Sequence, residues 1–314
     1  MKRIFKTDNG ILQELNAIES DVWIHLVTPE ENELTEVSEH FGIDRNDLKA
    51  ALDDEESSRV QLEEGYTLIL VDIPLEEVRN EQKAYTTIPL GILLVKNAIV
   101  TICSTDTIIL RSFYNNQIRN FSTKKKMRFV YQILLRTTNL YQAYLHVIDK
   151  KRSEIEKRVG TETTEDKDLI NLHELETNLV YFATSLGANR LVMERLSRYE
   201  RIEQYPEDQE LLHDVIIENK QAIEMTNIYR DIIHGARDLV STIINNRLNN
   251  VMKFLTSITL VMAIPTIISG IYGMNVSGKW MPLSDTPYGF YIICVLIVLI
   301  CVLALVILKR RKML

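Results

Sequence analysis

Residues 249–275 read NNVMKFLTSITLVMAIPTIISGIYGMN. After Lys253 the run carries no charge over the 19 residues 254–272. At about 1.5 Å per residue in a helix, that length crosses an apolar layer of roughly 30 Å. A second uncharged run of 22 residues, PYGFYIICVLIVLICVLALVIL at 287–308, follows almost at once. Two spans this close predict a hairpin. Cations cluster at its open end: Arg247 and Lys253 before the first span, and Lys309, Arg310, Arg311 and Lys312 after the second. The connecting loop has only Lys279 and Asp285. The positive-inside bias therefore places both termini in the cytoplasm and the loop outside.

The second span is almost wholly Ile, Leu, Val, Cys and Ala, a composition that faces lipid all round. The first is mixed. Leu255, Thr259, Met262, Thr266 and Ser269 or Gly270 recur every three or four positions and place small and hydroxyl-bearing residues on one stripe. Two readings stay open: a pore face, or a packing face whose hydroxyls bond back to their own helix. Pro265 is equally two-sided, since it either frees a backbone carbonyl for an ion or water or is a tolerated kink.

Outward from this hairpin the chain changes character. Residues 1–250 carry a net charge of −12 and residues 251–314 a net of +5, within 314 residues of total charge −7. An acidic body on a basic-flanked apolar tail argues for a cation or a membrane as partner and against nucleic acid. No apolar segment of signal-peptide length follows the basic start MKRIFKTDNG. Within residues 1–123, DVWIHLV, YTLILVDIP, TIPLGILLV and NAIVTICS read as strands. EENELTEVSEHFG and RNDLKAALD read as helices, with Gly42 as a stop. Links as short as Lys96-Asn97 make the sheet mostly antiparallel, so the fold class is an α+β cytosolic domain followed by long helices and a two-helix transmembrane hairpin. The sequence has no phosphate-cradling glycine loop, nucleophile elbow or HExxH, so an enzyme is not expected. His173 is expected at the surface. Cys103, Cys294 and Cys301 lack metal-ligand spacing and read as packing thiols in a reducing compartment.

Residues 124–205 are expected to form an antiparallel pair of long helices joined by the acidic turn GTETTED. A stalk helix starts at Pro206 and meets no further proline until Pro265, so residues 206–253 run on into the first span at 254–272. Steps of seven back from Asn249 reach Thr242, Gly235, Ile228, Gln221 and Asp214, a mixed face unlike a solid coiled-coil seam. That face either lines a wet axis or is simply the exposed side. The remaining segments are an external loop at 273–286, the second span at 287–308 and a basic tail at 309–314.

The tetrapeptide Tyr272-Gly273-Met274-Asn275, at the end of the penultimate span, resembles the signature of the CorA family of divalent-metal transport proteins. The likeness extends through residues 249–275 and upstream to RDIIHGARDLVSTIINNRLNN. The order of acidic body, long helices, stalk and hairpin matches the family over nearly the whole chain. Two departures stand out. The loop VSGKWMPLSDTPYG has Lys279 where acids are usual, and Ala263 falls where a bulkier pore residue is common.

The resemblance implies a CorA-like homopentamer in the plasma membrane, with five first spans around an axial pore. Gly273, Met274 and Asn275 would form the mouth, and Asn249, Leu255, Thr259, Ala263, Thr266 and Gly270 would line the path. Mg²⁺ releases its waters reluctantly, so a selective mouth can recognise the hydrated ion through neutral oxygens, with Asn275 giving a side-chain carbonyl and Gly273 freedom for the backbone carbonyl. Asp214 aligns with the family's cytosolic metal-sensing Asp, with Glu76 and Glu77 as expected partners, so Mg²⁺ is both cargo and regulator. No organic cofactor is implied. Lys253, Lys309, Arg310, Arg311 and Lys312 would form a basic collar at the exit or anchor the hairpin against anionic lipid. Co²⁺ and Ni²⁺ are expected surrogate ions. The competing functions are a Zn²⁺ transporter on the same scaffold and a membrane-anchored helical scaffold without transport.

Overall fold

The computed structural model describes all residues except 9, 80–81, 160–165, 200–204, 277–280, 284–285, 312 and 314. The GTETTED turn, Lys279, Asp285 and Lys312 thus lie wholly or mostly outside the described residues. The chain divides into two compact units, residues 1–158 with 167–237, and residues 159–166 with 238–314.

The first unit is built on β1 (Lys2–Asp8), β2 (Ile11–Leu15), β3 (Val22–Val27), β4 (Arg59–Leu62), β5 (Tyr66–Arg79), β6 (Gln82–Val95) and β7 (Ala98–Cys103). They form one sheet in the order β2-β1-β3-β7-β6-β5-β4. Every pairing is antiparallel except β3 with β7. The register Val95↔Ala98 leaves Lys96-Asn97 as a two-residue turn, as predicted. Alternation along the strands divides the core. Ile69, Val71 and Ile73 face one cluster, with α3 (Ile108–Tyr114) and α4 (Lys126–Arg158), while Leu68 and Leu70 face the other, with α1 (Glu31–Phe41) and α2 (Arg45–Ala50). Burial on both faces is why the central strands read as near-continuous apolar runs. Gly42 ends α1 with φ 67°, the left-handed cap expected of it. Gly91 is required by contact, because a Cβ there would lie 2.5 Å from the Ala51 Cβ where α2 ends against the sheet.

Trp23 is fully buried, and its indole Nε1 donates to Thr101 Oγ1 at 2.8 Å. Phe113, Phe121 and Phe129 stand edge-on to it. α5 (Asp166–Leu196) runs back along α4: Arg158 pairs with Asp168 at 2.8 Å, and the Tyr141 and Phe182 rings meet at 4.9 Å. Asn189 ties α5 to β5 by accepting from Asp72 N at 2.9 Å and donating to Asp72 O at 2.7 Å. Burial pushes the Asp72 carboxyl above its ordinary pKa, opposed by hydrogen bonds from Ser185 and Ser58. α5 stops at Leu196, short of the expected end of the pair at 205, because the periodic stretch breaks into a turn closed by Tyr199 N donating to Leu196 O.

α6 (Pro206–Tyr272) is a single helix of 67 residues, and α7 (Gly289–Arg310) follows it. Glu207 and Asp208 occupy the first turn of α6, where carboxylates oppose the positive helix end. β1, β2, β4 and α3 escaped the sequence reading. β1 is KRIFKTD, whose cations flank a single apolar pair, Ile4-Phe5, and mask a strand, and Lys6 pairs with Glu19 at 2.6 Å.

Candidate ion pathway

In the second unit, three contacts align α6 and α7 as an antiparallel hairpin. Ser257 Oγ donates to Met313 O at 3.0 Å, Cys301 Sγ to Val261 O at 3.8 Å, and Tyr272 OH to Pro282 O at 2.9 Å. The second contact answers the question Pro265 posed. Proline has no N–H, so the carbonyl four residues earlier, that of Val261, loses its helical partner. The Cys301 thiol supplies a weak substitute from α7. The freed carbonyl therefore faces the neighbouring helix and not the stripe.

The stripe is on the other side. At about 100° per residue, Ser257, Val261, Ile264, Ile268 and Tyr272 fall within about 80° of one another, and all are buried or half-buried. Leu255, Thr259, Ala263, Thr266 and Gly270 fall within a second arc of about 80°, centred opposite the first. Leu255 is 64 % exposed, Thr259, Thr266 and Gly270 are exposed, and Ala263 is half-buried. Asn249 is exposed at the shoulder of this arc. Thr259 Oγ donates to Leu255 O at 2.8 Å and Thr266 Oγ to Met262 O at 2.9 Å. The back-bonding alternative is thus satisfied, and it leaves hydroxyl lone pairs, which accept but do not donate, on the exposed arc.

At the end of α6, Gly273 N donates to Ser269 O at 2.9 Å, and a Cβ on Gly273 would sit 3.2 Å from that same oxygen. Gly273 does not adopt a left-handed backbone, so close approach is its local constraint. Met274 and Asn275 are exposed beyond it. At the opposite end of the hairpin, Lys253 is exposed on α6, Lys309 and Arg310 occupy the last turn of α7, and Arg311 caps it.

Within one protomer the expected sensor residues have separate surroundings. Asp214 is exposed and lines a cavity of about 420 Å³ with Arg128, Arg136, Glu207 and Glu210. Glu76 pairs with Lys83 at 2.6 Å and Glu77 pairs with Arg79, both inside the β5–β6 hairpin. His173 is a surface residue, as expected. Sequence reasoning missed the roles of Ser257, Tyr272 and Cys301. Only Cys301 carried a signal, since a thiol inside an aliphatic span opposite a proline-broken helix is a ready donor.

Fold and site define a class: a two-span membrane protein with a soluble α+β body, whose first span exposes an uncharged, hydroxyl-bearing stripe. A profile of the family described as "CorA-like Mg2+ transporter protein" matches residues 19–310. The chain belongs to that family. It is 31 % identical over 300 residues to the cobalt/magnesium transport protein CorA of Methanocaldococcus jannaschii, covering 92 % of this chain and 90 % of that one. It is 26 % identical to the cobalt/magnesium transport protein CorA of Thermotoga maritima, covering 92 % and 82 %. Among solved structures, the complete CorA magnesium transporter of M. jannaschii superposes with a TM-score of 0.83 at 28 % identity over 99 % of this chain and 98 % of that one. The full-length CmaX protein shares the fold, with a TM-score of 0.72 at 16 % identity over 99 % and 97 %.

Proposed function

We propose that the chain conducts hydrated divalent cations, chiefly Mg²⁺ with Co²⁺ and Ni²⁺ as surrogates, through an axial path in a homopentamer. The observation that carries this reading is the exposed arc of α6, which lies opposite the α7 face and contains no carboxylate from Met252 to Asn275. An ion that keeps its waters passes hydroxyl and amide dipoles without being trapped, and leaving is then as easy as entering. Asn275 at the mouth offers the side-chain oxygen that selects the hydrated ion. Inward movement needs no further energy source, since a divalent ion crossing roughly 100 mV gains about 4.6 kcal/mol, twice the single-charge value.

In this reading both termini are cytoplasmic. Lys253, Lys309, Arg310, Arg311 and Lys312 stand at the cytosolic exit or hold anionic lipid. Gating by cytosolic Mg²⁺ rests on Asp214, whose exposed carboxylate would repel a neighbour's acids unless a cation bridges them. Glu76 and Glu77 already have cationic partners, so Asp214 carries more of this proposal than they do.

The test is Mg²⁺ uptake into vesicles holding purified protein under an imposed potential. Wild type should take up Mg²⁺, and Asn275→Ala should reduce the flux at least several-fold. Equal fluxes would remove Asn275 as the mouth. Absence of flux in wild type would favour the scaffold reading, and uptake of Zn²⁺ in preference to Mg²⁺ would favour the zinc transporter.

A further inference from the structure

A cavity of about 540 Å³, a size suited to a small molecule, lies in the soluble body where the β6–β7 turn meets the start of α4 and the first turn of α6. Four lysines line it: Lys96 from the turn, Lys124 and Lys125 just before α4, and Lys126 as the first residue of that helix. The acids in the lining are Asp21 and Asp208. Lys96, Lys124 and Tyr205 are exposed, so the cavity is reached from solvent.

The charges around it do not cancel. Lys126 is half-buried and donates to the Val95 carbonyl at 2.6 Å; burial lowers its pKa, and Asp21 opposes that effect. Asp208 lies 3.8 Å from Arg128, a cation outside the lining. Both acids thus face cations of their own. Among the described residues no carboxylate lies within ion-pair distance of Lys96, Lys124 or Lys125. The first turn of α4 has no acid, whereas α6 has Glu207 and Asp208 there. Cations at the positive end of a helix are repelled by it, and neighbouring ammonium groups repel one another. In a body of net charge −12, three uncompensated lysines at one open cavity call for a polyanion.

The form of the lining narrows the anion. It offers separate ammonium point charges and no guanidinium fork, which suits a chain of phosphates better than a single carboxylate. Aromatic surface lies beside them. Lys125 Nζ sits 4.9 Å from the centre of the Tyr205 ring, and Tyr205 is 49 % exposed. Tyr199 is a fixed wall, buried and joined to Thr67 Oγ1 at 2.7 Å through its hydroxyl. A nucleobase stacks on an exposed ring while cations beside it take the phosphates. We infer that this cavity binds a nucleoside polyphosphate, its phosphates on Lys96, Lys124 and Lys125 and its base on Tyr205. The site does not depend on transport: a protein without flux would still bind the nucleotide there.

The test is calorimetric titration of full-length protein in detergent with ATP, sodium tripolyphosphate and inorganic phosphate, with EDTA present to silence divalent-ion sites. ATP should bind at least about tenfold more tightly than inorganic phosphate. It should also shield Lys96, Lys124 and Lys125 from acetylation by an N-hydroxysuccinimide ester and leave the exposed Lys150 open. Lys124→Gln combined with Lys125→Gln relieves the start of α4 of two cations, so it does not threaten folding, and should weaken ATP about 10- to 100-fold. Tyr205→Leu should weaken ATP about fivefold or more and leave tripolyphosphate unchanged. No binding of ATP at millimolar concentration, an affinity unmoved by loss of the two lysines, or shielding confined to other lysines would overturn the site. Equal weakening of ATP and tripolyphosphate by Tyr205→Leu, or inorganic phosphate held as tightly as ATP, would overturn the nucleotide.

Discussion

Phe129 and Leu299 are both large apolar residues on long helices, and their surroundings are opposite. Phe129 is 1 % exposed and packs among Trp23, Phe113 and Phe121. Leu299 is 64 % exposed and shares an uncovered aliphatic face with Val295, Val298 and Val302. In the body, apolar periodicity points inward and polar residues close the surface. In the hairpin the rule weakens: the covered face of α6 mixes Val261, Ile264 and Ile268 with Ser257 and Tyr272, whose hydroxyls are hydrogen-bonded, while most aliphatic side chains of α7 face out. The difference teaches that the second unit was selected for a solvent other than water.

The largest expected effect sharpens that contrast by truncation. Phe129→Ala should cost about 3–5 kcal/mol of stability, read from urea unfolding of the purified protein, whereas Leu299→Ala should change it by less than about 0.5 kcal/mol. Equal costs would mean that Leu299 is packed against something in the folded chain. Next comes charge. Leu299→Arg should add about 2.5–3.5 kcal/mol to insertion of the second span, seen as loss of the protein from the membrane fraction; the same substitution at an exposed body position such as Val78 should leave it there.

A smaller effect is specific to the body and depends on pH. His25, with Arg111 and Tyr114, holds the Asp106 carboxyl well below the usual carboxylate range against the opposing effect of burial. Arg111 Nε donates to it at 2.8 Å and His25 Nε2 lies 4.0 Å away. A lowered folded-state value stabilises the fold above the unfolded pKa, about 3.9, and that contribution is lost as pH falls below it. Asp106→Asn should therefore lower the urea midpoint at pH 7, and the gap to wild type should close below about pH 4. A gap that persists at low pH would show that the side chain acts through packing. The smallest effect is in the hairpin: Cys301→Val removes the weak donor to Val261 O and should cost about 0.5–1 kcal/mol.

Legibility in the sequence followed burial. The strands buried on both faces, such as β5 and β7, announced themselves as apolar runs, and the two spans did so by length and lack of charge. The edge strands β2 and β4 hid because they are short and polar residues interrupt their apolar ones, and β1 hid because its cations do the same. The stripe from Leu255 to Gly270 was readable because helical spacing alone puts it on one arc. The partner of the carbonyl freed by Pro265 was not, because it comes from α7, and which residue of one helix meets a given level of another is a property of register, not of either sequence.

Whether the exposed arc of α6 faces water while α7 faces lipid is decided by thiol access in reconstituted vesicles. With Cys294 and Cys301 replaced by Ala, Cys103 stays silent, because burial pushes its thiol up to about 11. A membrane-impermeant cationic thiosulfonate should then modify Thr259→Cys and block Mg²⁺ flux, and leave Leu299→Cys untouched. An unreactive Thr259→Cys, or equal reaction at both positions, would contradict a water-filled path along α6.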